Sequence, residues 1–138
     1  MHCLIKIAAS FVLCLMFSLP VNADKTDVLE KPTLMRVTCY TWTGNPTASG
    51  CYPYEGIVAG KREWLGCVAI IYDVDMNYIG TFEFRDTGAG MDTDGDGIGD
   101  SIRNGTSIDV YRDTLAGCYD WIGEYGDYCY VQIIETEG

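Results

Sequence analysis

The rhythm of apolar and polar positions changes sharply along this chain. Ile7 to Pro20 is nearly uninterrupted apolar sequence, the length of a signal core and short for a membrane span. Farther on, Leu34 to Trp42, Gly66 to Asp73, Tyr78 to Arg85, Ser107 to Tyr111 and Tyr128 to Thr136 are rich in β-branched and aromatic residues, with Gly, Asn and Asp between them. Each predicts a short strand. One segment changes to helical spacing: Leu115, Cys118, Tyr119 and Ile122 recur on one face, Asp113 or Thr114 can cap it, and Gly123 to Gly126 stop it. Five or six strands and one helix predict a mainly β fold, a small barrel, with no internal repeat.

Around the apolar start, Lys6 supplies a basic beginning and Val21-Asn22-Ala23 small residues for cleavage, so residues 1–23 read as a secretory signal. Cys14 follows Phe11-Val12-Leu13 rather than small residues, which does not suit a lipid anchor. Residues 24–33, polar and containing Pro32, read as a loose leader. Residues 34–138 form one domain, since 138 − 23 = 115 residues suit a single core. The expectation is a protein outside the cytoplasm, secreted, periplasmic or in the cell wall, a monomer with no stable membrane insertion after cleavage.

Charge narrows the chemistry. Of 9 basic and 20 acidic residues only Lys6 falls within the signal, so the mature balance is 8 − 20 = −12, which excludes electrostatic binding of nucleic acid. The single histidine, His2, leaves with the signal. Ser-His, Cys-His and histidine-zinc sites are thereby excluded, and catalysis must rest on carboxylates. Of the seven cysteines, Cys39, Cys51, Cys67, Cys118 and Cys129 remain, an odd set. Sequence proximity suggests disulfides Cys39 to Cys51 and Cys118 to Cys129, although sequence does not fix connectivity. Cys67, in the apolar run to Ile71, reads as a buried thiol.

The candidate chemistry lies between residues 84 and 111. Asp86 stands where a strand gives way to Thr87-Gly88-Ala89-Gly90, and Asp109 alternates with Ile108 and Val110, emerging on the face opposite to theirs. The plain alternatives are a turn-capping Asp86 and a solvated Asp109. Between them, Asp92-Thr93-Asp94-Gly95-Asp96-Gly97-Ile98-Gly99-Asp100 puts carboxylates at positions 1, 3, 5 and 9 with glycine at 6. That is the pattern of EF-hand-like calcium loops, in which Ile98 at position 7 would add its carbonyl. Arg103 occupies the twelfth position, where an acid is usual, so a weak structural Ca2+ site is expected, against the alternative of a disordered acidic turn. Trp42, Tyr52, Tyr54 and Trp64 are candidates either for stacking on sugars or for packing. Asn104-Gly105-Thr106 fits a glycosylation sequon.

Taken in order, Tyr40-Thr41, Thr47-Ala48-Ser49-Gly50, Asp86-Thr87-Gly88 and Gly105 with Ile108-Asp109-Val110-Tyr111 resemble the three-aspartate domain of bacterial cell-wall proteins, related to the catalytic domain of membrane-bound lytic transglycosylase A. The resemblance spans about residues 36–135. It implies a six-stranded double-psi β-barrel that cleaves peptidoglycan between N-acetylmuramic acid and N-acetylglucosamine without net hydrolysis. By that resemblance Asp109 is the acid and then the base, Asp86 its companion, and Tyr40, Thr47, Ser49, Thr87 and Gly88 line the groove; no cofactor is needed for catalysis. The chain departs from the family at the third aspartate. Gly56-Ile57-Val58-Ala59 leads instead to Gly60-Lys61-Arg62-Glu63-Trp64, with Glu63 the nearest acid and Lys61 and Arg62 either substrate contacts or loop residues. The alternative function is a non-catalytic module that binds or loosens wall polysaccharide, as expansins do; a calcium-dependent adhesion or inhibitor domain is a weaker third.

Overall fold

The structure is a computed structural model that describes residues 28–136; the expected signal and the start of the expected leader lie outside the described residues. Six strands form: β1 Thr33–Tyr40, β2 Ile57–Ala59, β3 Val68–Tyr72, β4 Tyr78–Asp86, β5 Ser107–Tyr111 and β6 Tyr128–Ile134, with helix α1 at Leu115–Tyr125 between the last two. Five strands lie where β-branched and aromatic residues concentrate. The short β2 escaped that reading because three residues are too few to show a period, and all three are buried.

The strands pair in the closed order β1-β5-β2-β4-β3-β6, a mixed sheet whose members run from three to nine residues. β1 is parallel to β5 and β2 to β4, whereas β2 runs antiparallel to β5, and β3 and β6 complete the circuit with antiparallel pairs. Strand alternation sorts the two faces. Met35 and Val37 of β1, Ile108 and Val110 of β5 and Val131 and Ile133 of β6 enter one shared core with Ile71, Phe82 and Phe84. The opposite face of β1 and β5 carries Thr38 beside Asp109 and Tyr40 beside Tyr111. The functional candidates therefore stand on the outer wall of the barrel, fixed by strands whose other faces are dry.

Close packing next to the site strands is tight at Gly60, just after β2. A Cβ there would sit 2.4 Å from the Phe84 ring, so only glycine lets the backbone pass while its amide donates to the Asp86 carbonyl at 3.0 Å.

Three expectations are corrected. Thr114 does cap α1, accepting from the Gly117 amide, but the face turned inward is Cys118 and Trp121, with Tyr125 partly buried against the core. Leu115, Tyr119 and Ile122 are exposed, because Trp121 supplies the largest apolar area and its edge-on contacts with Phe82 and Tyr125 set the rotation of the helix. The described part of the leader is held rather than loose: Val28 and Leu29 pack on the core, and the Leu29 carbonyl accepts from the Ile133 amide. Finally, Cys39 does not meet Cys51. Its sulfur lies 2.7 Å from that of Cys118, while Cys51 contacts the Thr47 hydroxyl at 3.2 Å.

Candidate active site

Asp86 and Asp109 reach one neighbourhood by different routes. Asp109 sits in mid-strand, opposite Thr38 of β1 on one side and Ala59 of β2 on the other. Asp86 ends β4, and its partner is also Ala59, because the β2/β4 register shifts between Val58 and Ala59. The extra residue in that shift is Arg85. It resets the alternation that would otherwise send Asp86 the way of Phe82 and Phe84, into the core. The buried Ala59 thus lies between two strands that each present a carboxylate.

The two carboxylates are treated differently. Asp86 accepts three hydrogen bonds: the Tyr40 hydroxyl donates to Oδ2 at 2.9 Å, and the amides of Ala48 and Thr87 donate to Oδ1, each at 2.9 Å. These donors come from the end of β1, from the loop after it and from the turn after β4, so Asp86 ties three segments together. Burial and the bond to Asp86 push the Tyr40 phenol well above its usual range, so that it remains a donor. The Tyr40 ring packs edge-on against Tyr111, centroids 5.3 Å apart.

Asp109 accepts one bond from a side chain, from the Thr38 hydroxyl to Oδ1 at 2.9 Å. Its carboxyl is pushed up to about 6, chiefly by desolvation; the Thr38 bond opposes the shift and the charge of Asp86 adds to it. Asp109 thus exchanges a proton in mildly acidic conditions, as a general acid or base must, whereas Asp86 is committed to holding the architecture.

The remaining sequence candidates divide. Thr47 is buried, and its amide donates to the Cys51 carbonyl at 2.8 Å, so it builds the loop. Ser49 is exposed and docks the loop through its amide to the Arg85 carbonyl at 3.1 Å. Thr87 contributes its amide to Asp86, and Gly88 is exposed above Ile102. Among the aromatics, Trp64 belongs to the core, beside Phe84. Trp42 and Tyr52 are 47% and 70% exposed, with ring centroids 5.8 Å apart. They flank the loop that Asp86 fastens, and Tyr54, also exposed, donates to Glu83 at 2.7 Å.

Sequence reasoning missed Thr38, Ala48 and Ala59. Thr38 could have been found: it precedes Tyr40 by two positions in a strand and so shares its face. Ala48 acts through its backbone, and Ala59 through a pairing that depends on the register shift.

The connection from β4 to β5 holds the acidic loop. Asp92, Asp94 and Asp100 bring carboxylate oxygens within 4.8 Å of one another, a narrower set than the expected Asp92, Asp94, Asp96, Ile98 and Asp100. Asp96 is turned to its own backbone, accepting from the Ile98 amide at 2.8 Å. The loop is ordered by its carboxylates: Asp92 accepts from the amides of Gly95 and Gly97, and Asp100 from the Thr93 hydroxyl. Those amides, Gly97 foremost, hold Asp92 below the usual carboxylate range. Three close carboxylates with oxygen donors only suit a hard cation such as Ca2+. The loop is anchored at its base, where the Ser101 hydroxyl accepts from the Met91 amide at 2.8 Å and meets the buried Ser107 hydroxyl at 2.7 Å.

No helix among the described residues is long and apolar enough to cross a membrane. No protein-family model matches the chain, and neither a curated protein nor a solved structure matches it.

Proposed function

We propose that the domain is an extracytoplasmic peptidoglycan-cleaving enzyme of the lytic transglycosylase type, with Asp109 as its single acid and base. The observation that carries this reading is the unequal pair: Asp109 is largely desolvated and titrates near pH 6, while Asp86 already accepts three hydrogen bonds. A hydrolase that needs one carboxylate as acid and another to activate water or attack the sugar would leave both free. Intramolecular transfer needs only one. Protonated Asp109 donates to the glycosidic oxygen as the bond to the sugar C1 breaks; the resulting carboxylate takes the proton of the same sugar's 6-hydroxyl, whose oxygen closes on C1. No water is consumed and Asp109 ends protonated.

The fold is in keeping with a double-psi barrel, because a closed six-strand order contains two parallel pairs joined through the antiparallel β2 and β5. Export to the cell wall completes the reading through the signal-like residues 1–23. The acidic loop is proposed as a structural Ca2+ site, formed by Asp92, Asp94 and Asp100, that stiffens the connection between the two site strands.

The exposed Trp42 and Tyr52 pair supports a second reading, a wall module that binds glycan without cutting it, since such rings stack on sugar faces. Incubation of the mature domain with purified sacculi separates the two. Soluble 1,6-anhydro muropeptides that disappear with Asp109→Asn establish the enzyme; sedimentation with sacculi and no soluble product establishes the binding module.

A further inference from the structure

We propose that Cys39 and Cys118 become a disulfide that fastens α1 to β1 at the centre of the site's support. The two residues are 79 positions apart in sequence, yet their sulfurs lie 2.7 Å apart. Cys39 stands between Thr38, the donor to Asp109, and Tyr40, a donor to Asp86. A covalent link at this residue therefore restrains both donors at once, through the strand that carries them and the helix whose Trp121 enters the core.

The order of steps follows from exposure. Cys39 is partly exposed and Cys118 is 4% exposed. Cys39 therefore meets an external disulfide, such as oxidised glutathione, first. Its thiolate attacks one sulfur of the donor, the donor's S–S bond breaks, and one donor thiol leaves carrying the Cys39 proton. Cys118 then attacks the Cys39 sulfur of the mixed disulfide, displacing the second donor molecule as a thiol with the Cys118 proton. One S–S bond forms in the protein, one is lost from the donor, and the donor takes up two electrons. Desolvation, with Cys118 close by, pushes the Cys39 thiol far above its usual range. Its thiolate is therefore scarce, so the bond forms slowly and then persists, as a structural crosslink rather than a cycling redox centre.

The test uses the mature chain refolded in a mixture of oxidised and reduced glutathione, denatured without reductant and alkylated. Chymotrypsin cuts after Tyr40 or Trp42 and after Trp121 or Tyr125, separating Cys39 from Cys51 and Cys118 from Cys129. The expected result is one linked peptide pair containing Cys39 and Cys118, lighter by two hydrogens than the separate thiols, with Cys51 carrying the alkyl label. A labelled Cys39 or Cys118, or a link from Cys39 to Cys51, overturns the proposal. As a second readout, dithiothreitol should lower the melting temperature of the wild type and leave Cys118→Ser unchanged. An equal response in both proteins also overturns it. The peptide map on the wild type decides the matter even if Cys118→Ser fails to fold.

Discussion

The aspartate pair and the acidic loop use the same side chain in opposite environments. Asp109 loses water, keeps one side-chain donor and is pushed up to about 6. Asp92 stays exposed, collects backbone amides and is held below the usual range. Four acids between residues 92 and 100 announce themselves in sequence, yet only three of them converge, and they do so at the surface. Asp109 is a single acid in an apolar strand, and it is the one whose carboxyl burial raises. Burial, more than acidic density, makes a carboxylate reactive.

The strongest way to break that contrast is to remove the charge from Asp109. Asp109→Asn should reduce release of anhydro muropeptides by about a hundredfold or more, the usual contribution of a positioned acid and base, measured by chromatography of digested sacculi. Stability should move the other way. Because burial raises the carboxyl of folded Asp109 to about 6, the folded state binds a proton more tightly than the unfolded chain. The benefit of that proton is fully present below the unfolded value near pH 4 and disappears as pH rises through about 6. Above that, the ionised group costs on the order of 1–3 kcal/mol. Asp109→Asn should therefore match the wild type in urea near pH 4 and exceed its stability at pH 8. A variant less stable at pH 8 would show that Asp109 is a structural carboxylate after all.

Asp86 should behave as the opposite case. Asp86→Ala strands the Tyr40 hydroxyl and the amides of Ala48 and Thr87, and should cost about 2–3 kcal/mol in a urea titration, because unsatisfied donors are expensive where water cannot fully replace the lost acceptor. An Asp86→Ala protein as stable as the wild type would remove the distinction between a working and a structural carboxylate. Tyr40→Phe, which removes one of the three donors, should cost about 0.5–1.5 kcal/mol in the same assay.

These contrasts also mark what the sequence could reveal. Five strands were legible because β-branched and aromatic residues cluster in them, and Asp109 because Ile108 and Val110 bracket it. The unequal roles of the carboxylates were not legible. They depend on a register shift that pairs Asp86 with Ala59 and keeps it from the core face, and on donors up to 46 residues away in sequence that meet at its oxygens. The inward face of α1 was misread because Leu115, Tyr119 and Ile122 fit helical spacing as well as Trp121 does, and only packing against Phe82 decides between them. Cys39 and Cys118 were invisible as a pair for a similar reason: nearness along the chain favoured Cys51, while closure of the sheet and docking of the helix brought in a residue 79 positions away.

The smallest expected effect tests the acidic loop by a reversal of sign. Without a cation, Asp92, Asp94 and Asp100 hold like charges within 4.8 Å of one another, so Asp94→Asn should leave the melting temperature unchanged or slightly raise it by relieving repulsion. With Ca2+ present the same substitution removes a ligand oxygen's charge, and the variant should melt below the wild type, because an ion that binds only the folded state stabilises it more the tighter it binds, as the logarithm of its concentration over Kd. Scanning calorimetry of both proteins in chelator and in excess Ca2+ gives the four values needed. If the order of the two proteins does not change with Ca2+, the acidic loop is held by its own amides alone, and the contrast with the aspartate pair narrows to burial.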